Sequence, residues 1–311
     1  MDIFQAVFLG IVQGVTEVLP ISSSGHLVLV PWLFDFEDPG LAFNVALHIG
    51  TLFAILAYFR KDWVGIIRGF FAGLKGGKFD KADEKLPLFI VFATIPGVLA
   101  GYFLNDLAEN SFRSPYLVAF NLVFFGFVLL LAEKSSSSLS SRAKSRDPLK
   151  KDSELDSRLR GNDEDKRKGF LHLLLCSVGR NDNKEIKDLN WKNALITGIA
   201  QAMAIVPGVS RSGITISAGM FQGFTREAAA RFSFLISAPI ILGAGVYEMR
   251  KIPIEGYTSD VFWAGLASSV IASFITVKFL MSFVKNHNLN IFAYYRFFLA
   301  GIILLIYFIG S

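Results

Sequence analysis

Gln13-Gly14-Val15-Thr16-Glu17-Val18-Leu19-Pro20-Ile21-Ser22-Ser23-Ser24-Gly25-His26 sets a carboxylate, an imidazole and three serine hydroxyls inside a stretch otherwise apolar enough for a bilayer. Ionisable side chains at membrane depth are costly and are tolerated mainly where they face a wet cavity or one another, so the run reads as a site. The apolar run from residue 3 to residue 19 ends at Pro20, and residues 26–34 form a second short apolar run. About 20 apolar residues are needed to cross a ~30 Å hydrocarbon core, so neither run crosses comfortably alone. Two short helices joined at Ser22-Ser23-Ser24-Gly25 predict a re-entrant pair, whose non-helical tip needs protein or water around it.

Working outward, residues 41–59, 87–105 and 115–133 are each long enough to cross. The plan then recurs. An apolar run over 193–206 is followed by Pro207-Gly208-Val209-Ser210-Arg211-Ser212-Gly213, a short run to Phe221, and spans near 228–247, 261–284 and 291–309. Gly10, Gln13, Ser22, Ser24 and Gly25 match Gly198, Gln201, Ser210, Ser212 and Gly213 at one constant offset, and Pro20 matches Pro207 with a slip of one residue. The expected fold is an all-α polytopic membrane protein built as two five-helix halves, each a re-entrant pair plus three crossings. Three crossings turn the second half upside down, giving an inverted repeat whose broken segments meet near the midplane. The first repeat is read as residues 1–133 and the second as 191–311. Between them, 134–190 carries a serine run and then mixed Lys, Arg, Asp and Glu, a composition that buries no core and predicts a disordered loop.

Composition agrees with a membrane protein: 52% of the residues are hydrophobic, with 31 Phe and a single Cys. Cys176 alone excludes an internal disulfide. The net charge of +5 comes from basic residues crowded into the two segments between spans, which is the positive-inside pattern rather than a nucleic-acid surface. Residues 60–86, with Arg60, Lys61, Arg68, Lys75, Lys78, Lys81 and Lys85, and residues 134–190 are accordingly placed in the cytoplasm, and both termini outside. Phe70, Phe71 and Leu74 are expected at the membrane interface. Asp2 and the lack of a basic n-region argue against a cleaved signal peptide.

Two helix ends with Gly/Ser turns converging in one cavity present free backbone amides, a concave site for an anion and above all for a phosphate. Arg211 adds a guanidinium able to take two phosphate oxygens as a fork. Gln13 and Glu17, four residues apart, share a helix face where an amide oxygen and a carboxylate can hold one hard cation. His26 stands where it can act as general base or acid, or capture a phosphoryl group itself. Among Ser22, Ser23, Ser24, Ser210 and Ser212 most hydroxyls are expected to cap helices or donate to phosphate, and one could be a nucleophile. Thr215 follows the second turn closely enough to touch the same anion. Arg226 and Arg231 are read as marking a helix start, and no role is assigned to His48 or Glu248.

These residues, Gln13-x-x-x-Glu17, Pro20 to His26 and Pro207 to Gly213, closely resemble the two signature motifs of the undecaprenyl-diphosphate phosphatase family of the bacitracin-resistance type. The likeness covers both halves and leaves out residues 134–190. It implies a bacterial inner-membrane enzyme that removes the terminal phosphate of undecaprenyl diphosphate, recycling the carrier lipid for cell-wall synthesis. Carried over position by position, it implies catalytic Glu17, Ser23, His26 and Arg211, phosphate-binding Ser22, Ser24, Gly25, Ser210, Ser212, Gly213 and Thr215, and a divalent cation, Mg2+ or Ca2+, held by Glu17 and Gln13. Position 13 is Gln where many members have Glu, and the 134–190 connection is longer than usual. The nucleophile stays open between Ser23, His26 and water, and the oligomeric state between one chain and a homodimer.

The competing class is a carrier that moves a phosphate-bearing lipid or anion, since inverted repeats with broken helices also build transporters. Against it stands His26 with its serines, which passive binding does not require. The type-2 phosphatidic acid phosphatases share Ser-Gly-His and Ser-Arg fragments, but the His-x-x-x-Asp expected after the second motif is missing.

Overall fold

In the computed structural model of the chain, which describes residues 1–34, 36, 40–110, 114–144, 184–250 and 259–310, a capping box opens the first helix. The Asp2 side chain accepts from the Gln5 amide at 2.8 Å while the Gln5 side chain accepts from the Asp2 amide at 3.1 Å. Helix α1 (Ile3–Val18) ends at an extended Leu19, as a residue preceding proline must tend to do. Ser22 then caps α2 (Ser23–Leu33). The same grammar recurs later in the chain: Asn190 and Asn193 make a capping box at the start of α7 (Trp191–Met203), and Ser210 caps α8 (Arg211–Phe221). The first break therefore lies at 19–22 instead of at Ser22–Gly25 as expected. A serine that caps the amide three residues on draws the intervening residues into the first helical turn.

The remaining helices are α3 (Gly40–Tyr58), α4 (Arg60–Gly76), α5 (Ala82–Asn110), α6 (Pro115–Lys144), α9 (Arg226–Met249), α10 (Asp260–Asn286) and α11 (Asn290–Gly310). By length and composition five stretches can cross a bilayer: Ala82–Leu104, Pro115–Ser136, Arg226–Glu248, Asp260–Asn286 and Asn290–Phe308. A sixth is added if Phe43–Tyr58 and Arg60–Gly76, bent by 77° at Phe59, count as one span. The chain is an all-α multi-pass membrane protein.

Two expectations need correction. Residues 60–76, read as loop, form an amphipathic helix. Apolar residues at Val64, Ile67, Phe71 and Leu74 make one exposed stripe at spacings of three and four, a period masked by the interspersed glycines and basic residues. The connection between halves also holds more regular structure than its composition implied. Helix α6 runs on to Lys144, and near the other end Lys184 pairs with Phe224 in a parallel bridge and donates from Nζ to Gln222 O at 2.9 Å, ahead of a 3-10 turn at Ile186–Asp188. Residues 145–183 lie outside the described residues.

Packing partners exchange between the halves. Helix α1 lies along α10 as α7 lies along α5, while α3 meets α9 and α6 meets α11. Glycine makes the first two contacts close. A Cβ at Gly10 would fall 2.4 Å from Gly265 O, and one at its repeat mate Gly198 2.6 Å from Ala93 O. The largest apolar cluster centres on Phe234, Leu235 and Ile236 of α9 with Ile55, Ile216, Met220 and Leu280. Phe103, Phe120, Phe298 and many other large apolar side chains face outward, where only lipid removes them from water.

Candidate active site

The two breaks carry the same strained device. Ser22 (φ 76°) and Ser210 (φ 68°) are the only non-glycine residues with positive φ among the described residues. Such a conformation costs on the order of 1–3 kcal/mol and persists where surrounding contacts impose it. Each serine caps the helix that follows: Ser22 Oγ accepts from Gly25 N at 3.4 Å and Ser210 Oγ from Gly213 N at 3.2 Å. Each also lies beside a second hydroxyl, Ser24 at 3.2 Å and Ser212 at 3.3 Å. Ties then cross between halves. Gly208 N donates to Ser24 Oγ at 3.4 Å, and Ser212 Oγ donates to Leu19 O at 3.1 Å. The reciprocal bonds bring both helix N-termini to one place, where their unpaired amides favour an anion.

Glu17, in the last turn of α1, is the hub. Its Oε1 accepts from Arg211 Nη2 at 2.7 Å, and its Oε2 accepts from Ser23 Oγ at 2.5 Å and from Gln13 Nε2 at 3.3 Å. Carboxylate, serine and guanidinium are drawn from α1, α2 and α8, and all three side chains are largely shielded from water. Arg211 Nη1 is buried with no partner, leaving a charged donor free. A serine hydroxyl on a carboxylate beside an arginine is the constellation of an activated nucleophile with an oxyanion donor.

The other anticipated residues take distinct places. The Nδ1–H of His26 donates to Ser22 O at 2.7 Å, so in the neutral ring Nε2 is the acceptor for the Tyr295 hydroxyl at 2.7 Å. Thr215 Oγ1 donates to Arg211 O at 2.7 Å and accepts from Ser233 Oγ at 2.6 Å, which braces the first turn of α8 against α9. Arg226 pairs with Glu133 and Arg231 with Asp62, away from Glu17.

Three site residues were not anticipated. His48 of α3 places Nε2 3.4 Å from Glu17 Oε2 while Nδ1–H donates to Asn44 O at 2.8 Å. Tyr295 and Arg296 enter from α11, Tyr295 on His26 and Arg296 on backbone carbonyls. Lone polar side chains within apolar spans were the available signal.

A family model described as bacitracin resistance protein BacA matches residues 6–160 and 166–302. The chain belongs to that family. It is 41% identical over 296 residues to an undecaprenyl-diphosphatase of Desulforudis audaxviator, covering 95% of this chain and 94% of that one. It is 40% identical over 310 residues to the undecaprenyl-diphosphatase of Caldicellulosiruptor bescii, covering 99% and 98%, and 38% identical over 308 residues to that of Geobacter sulfurreducens, covering 98% of each.

For a BacA-family chain the donor set bears on a cation. Among the described residues no three His, Cys, Asp or Glu side chains gather as an all-protein metal cage. Gln13 Oε1, however, is a buried acceptor with no donor, one turn from Glu17. Gln13 presents Nε2 to Glu17, so it is with the amide turned over that this orphaned oxygen joins the carboxylate in a pair that fits a hard cation, which takes its other ligands from phosphate and water.

Proposed function

We propose that this chain is an undecaprenyl-diphosphatase of the bacterial inner membrane, hydrolysing the terminal phosphate of undecaprenyl diphosphate to leave undecaprenyl phosphate. The observation that carries the reading is the Glu17 carboxylate, held at once by Ser23 of one re-entrant pair and Arg211 of the other. Ser23 Oγ attacks the terminal phosphorus as its proton passes to Glu17 Oε2. The new Oγ–P bond forms while the anhydride P–O bond breaks, and undecaprenyl phosphate leaves. Water then attacks the phosphoserine phosphorus, its proton taken at His26 Nε2 as the Tyr295 hydroxyl releases that nitrogen; the Oγ–P bond breaks, Glu17 Oε2 returns its proton to Ser23 Oγ, and inorganic phosphate departs. Arg211 Nη1 and the amides at the starts of α2 and α8 hold the phosphate oxygens as charge shifts onto them, the kind of fixed donor worth about 10²–10³ in rate. Glu17 and Gln13 would hold a divalent cation, magnesium or calcium, which when bound neutralises phosphate oxygens. Thr215 acts through the α8 backbone, keeping the Arg211 turn in place.

The halves are taken to lie in opposite orientations, with residues 60–86 on the cytoplasmic side. Every group used here comes from one chain, so a homodimer adds nothing the chemistry requires. The test is release of inorganic phosphate by purified protein in detergent from a short-chain polyprenyl diphosphate. Turnover that is abolished in Ser23→Ala is expected. Tight substrate binding by folded protein with no phosphate released would contradict the reading and favour a carrier.

A further inference from the structure

Arg296 is the largest fully buried side chain among the described residues, with no exposed surface, in the second turn of the apolar helix α11. Its Nε donates to Pro20 O at 2.7 Å and its Nη2 to Val209 O at 2.7 Å. Nη1 is buried with no partner, and among the described residues no carboxylate pairs with the guanidinium. Pro20 lies in the first break and Val209 in the second, two residues and one residue ahead of the strained serines Ser22 and Ser210. The side chain also fills the space over the second helix start: a Cβ on Gly213 would lie 2.6 Å from Arg296 Nη2.

An arginine buried on neutral carbonyls is a poor way to stabilise a fold, because removing the charge from water is not repaid by a counter-ion. The geometry supplies another reason for it. Only a rigid fork with donors diverging from one plane can hold two carbonyls on different segments at a set spacing, and lysine, with its single nitrogen on a flexible stem, cannot. Asn121 of α6 makes the one-sided counterpart, donating to Pro207 O at 2.9 Å. Among the described residues Arg296 alone binds a carbonyl from each half.

We propose that Arg296 is a positioning residue of the phosphate site: by bonding Pro20 and Val209 together it fixes the spacing between the two breaks, and so the reach of Ser23 and Glu17 to Arg211. The inference rests on the phosphatase reading. The unpaired positive charge lies behind both helix N-termini, so it also favours an anion in front of them without touching it.

Arg296→Lys keeps the cation and loses the second bond. With protein that elutes as a single species and is assayed well below its melting temperature, kcat on a short-chain polyprenyl diphosphate is expected to fall on the order of 10²-fold, the scale set by a misplaced reacting group. KM should move less than about threefold, because the charge that attracts the substrate remains. A merely structural arginine would leave the folded fraction with wild-type kcat. Should Arg296→Lys fail to fold, Gly213→Ala provides the second variant, since its Cβ displaces Nη2 from Val209 while the guanidinium stays; a kcat loss at least tenfold greater than its KM change is expected. Wild-type kcat in either folded variant overturns the positioning role while leaving the phosphatase intact. If the wild type itself releases no phosphate, the phosphatase reading fails first, and this inference with it.

Discussion

The two breaks share a backbone and divide a chemistry. At matched positions Ser22 and Ser210 take the same strained conformation, cap the same relative amide and face the same relative hydroxyl. The reactive positions do not match. Glu17 corresponds to Ile205, Ser23 to Arg211 and His26 to Ile214 at the same offset. Residues retained in both halves build the turn, and in the proposed reaction the residues that differ give one half the base and nucleophile and the other the guanidinium. A phosphate needs both kinds of group at once, and two copies of either half would bring like groups together.

The largest effect expected from breaking this division is at Ser23. Ser23→Ala should lower kcat on the order of 10³-fold or more, since removal of a nucleophile leaves only binding and oxyanion contacts. Ser24→Ala, which leaves the Glu17–Ser23 bond in place, should cost far less. Steady-state phosphate release checks both, and equal losses at the two serines would return the nucleophile to His26 or water.

The shared half of the comparison predicts symmetry. Ser22→Ala and Ser210→Ala each remove a cap worth about 1 kcal/mol and keep the strain. Ser22→Gly and Ser210→Gly lose the same cap and relieve the strained φ, so each glycine variant should be more stable than its alanine partner by about 1 kcal/mol. Thermal unfolding in detergent measures the four variants. A glycine advantage at one site only would mean that the devices are not equivalent. The smallest effect belongs to residues 145–183: replacing them by a Gly/Ser linker, with 184–190 kept for the Lys184–Phe224 bridge, should leave kcat/KM within about threefold of wild type. A folded deletion with most of its activity gone would assign those residues to the site.

Much of this was legible beforehand. Pro20 and the Pro207-Gly208 pair stop helices by local rules. The repeat of Gly10, Gln13, Ser22, Ser24 and Gly25 in the second half marks the two turns that the fold brings together, and Glu17 and Arg211 stand out by their charge, whereas hydroxyl content leaves five serines open and only the family resemblance points to Ser23. The misses have a common physical origin. Tyr295 reaches His26, and Arg296 reaches Pro20, across more than 260 residues of chain. No local period encodes such a contact. His48 looked like part of an apolar face because its partner, Glu17, comes from another helix. Thr215 was assigned to the anion by proximity in sequence, whereas its helical hydrogen bonds turn it towards the α8 backbone and Ser233.

The central claim is that Glu17 and Arg211, from opposite halves, act as one unit on one phosphate. A double-mutant cycle tests it most directly, using kcat/KM for phosphate release by wild type, Glu17→Gln, Arg211→Lys and the double variant, each verified as a single species by size exclusion. Each single change should cost on the order of 10² or more, the loss expected when a positioned transition-state group is removed. The double variant should cost little beyond the worse single one, because residues working as a unit are strongly non-additive. Losses that multiply in the double variant, or a folded Arg211→Lys with near-normal kcat/KM, would contradict a shared site.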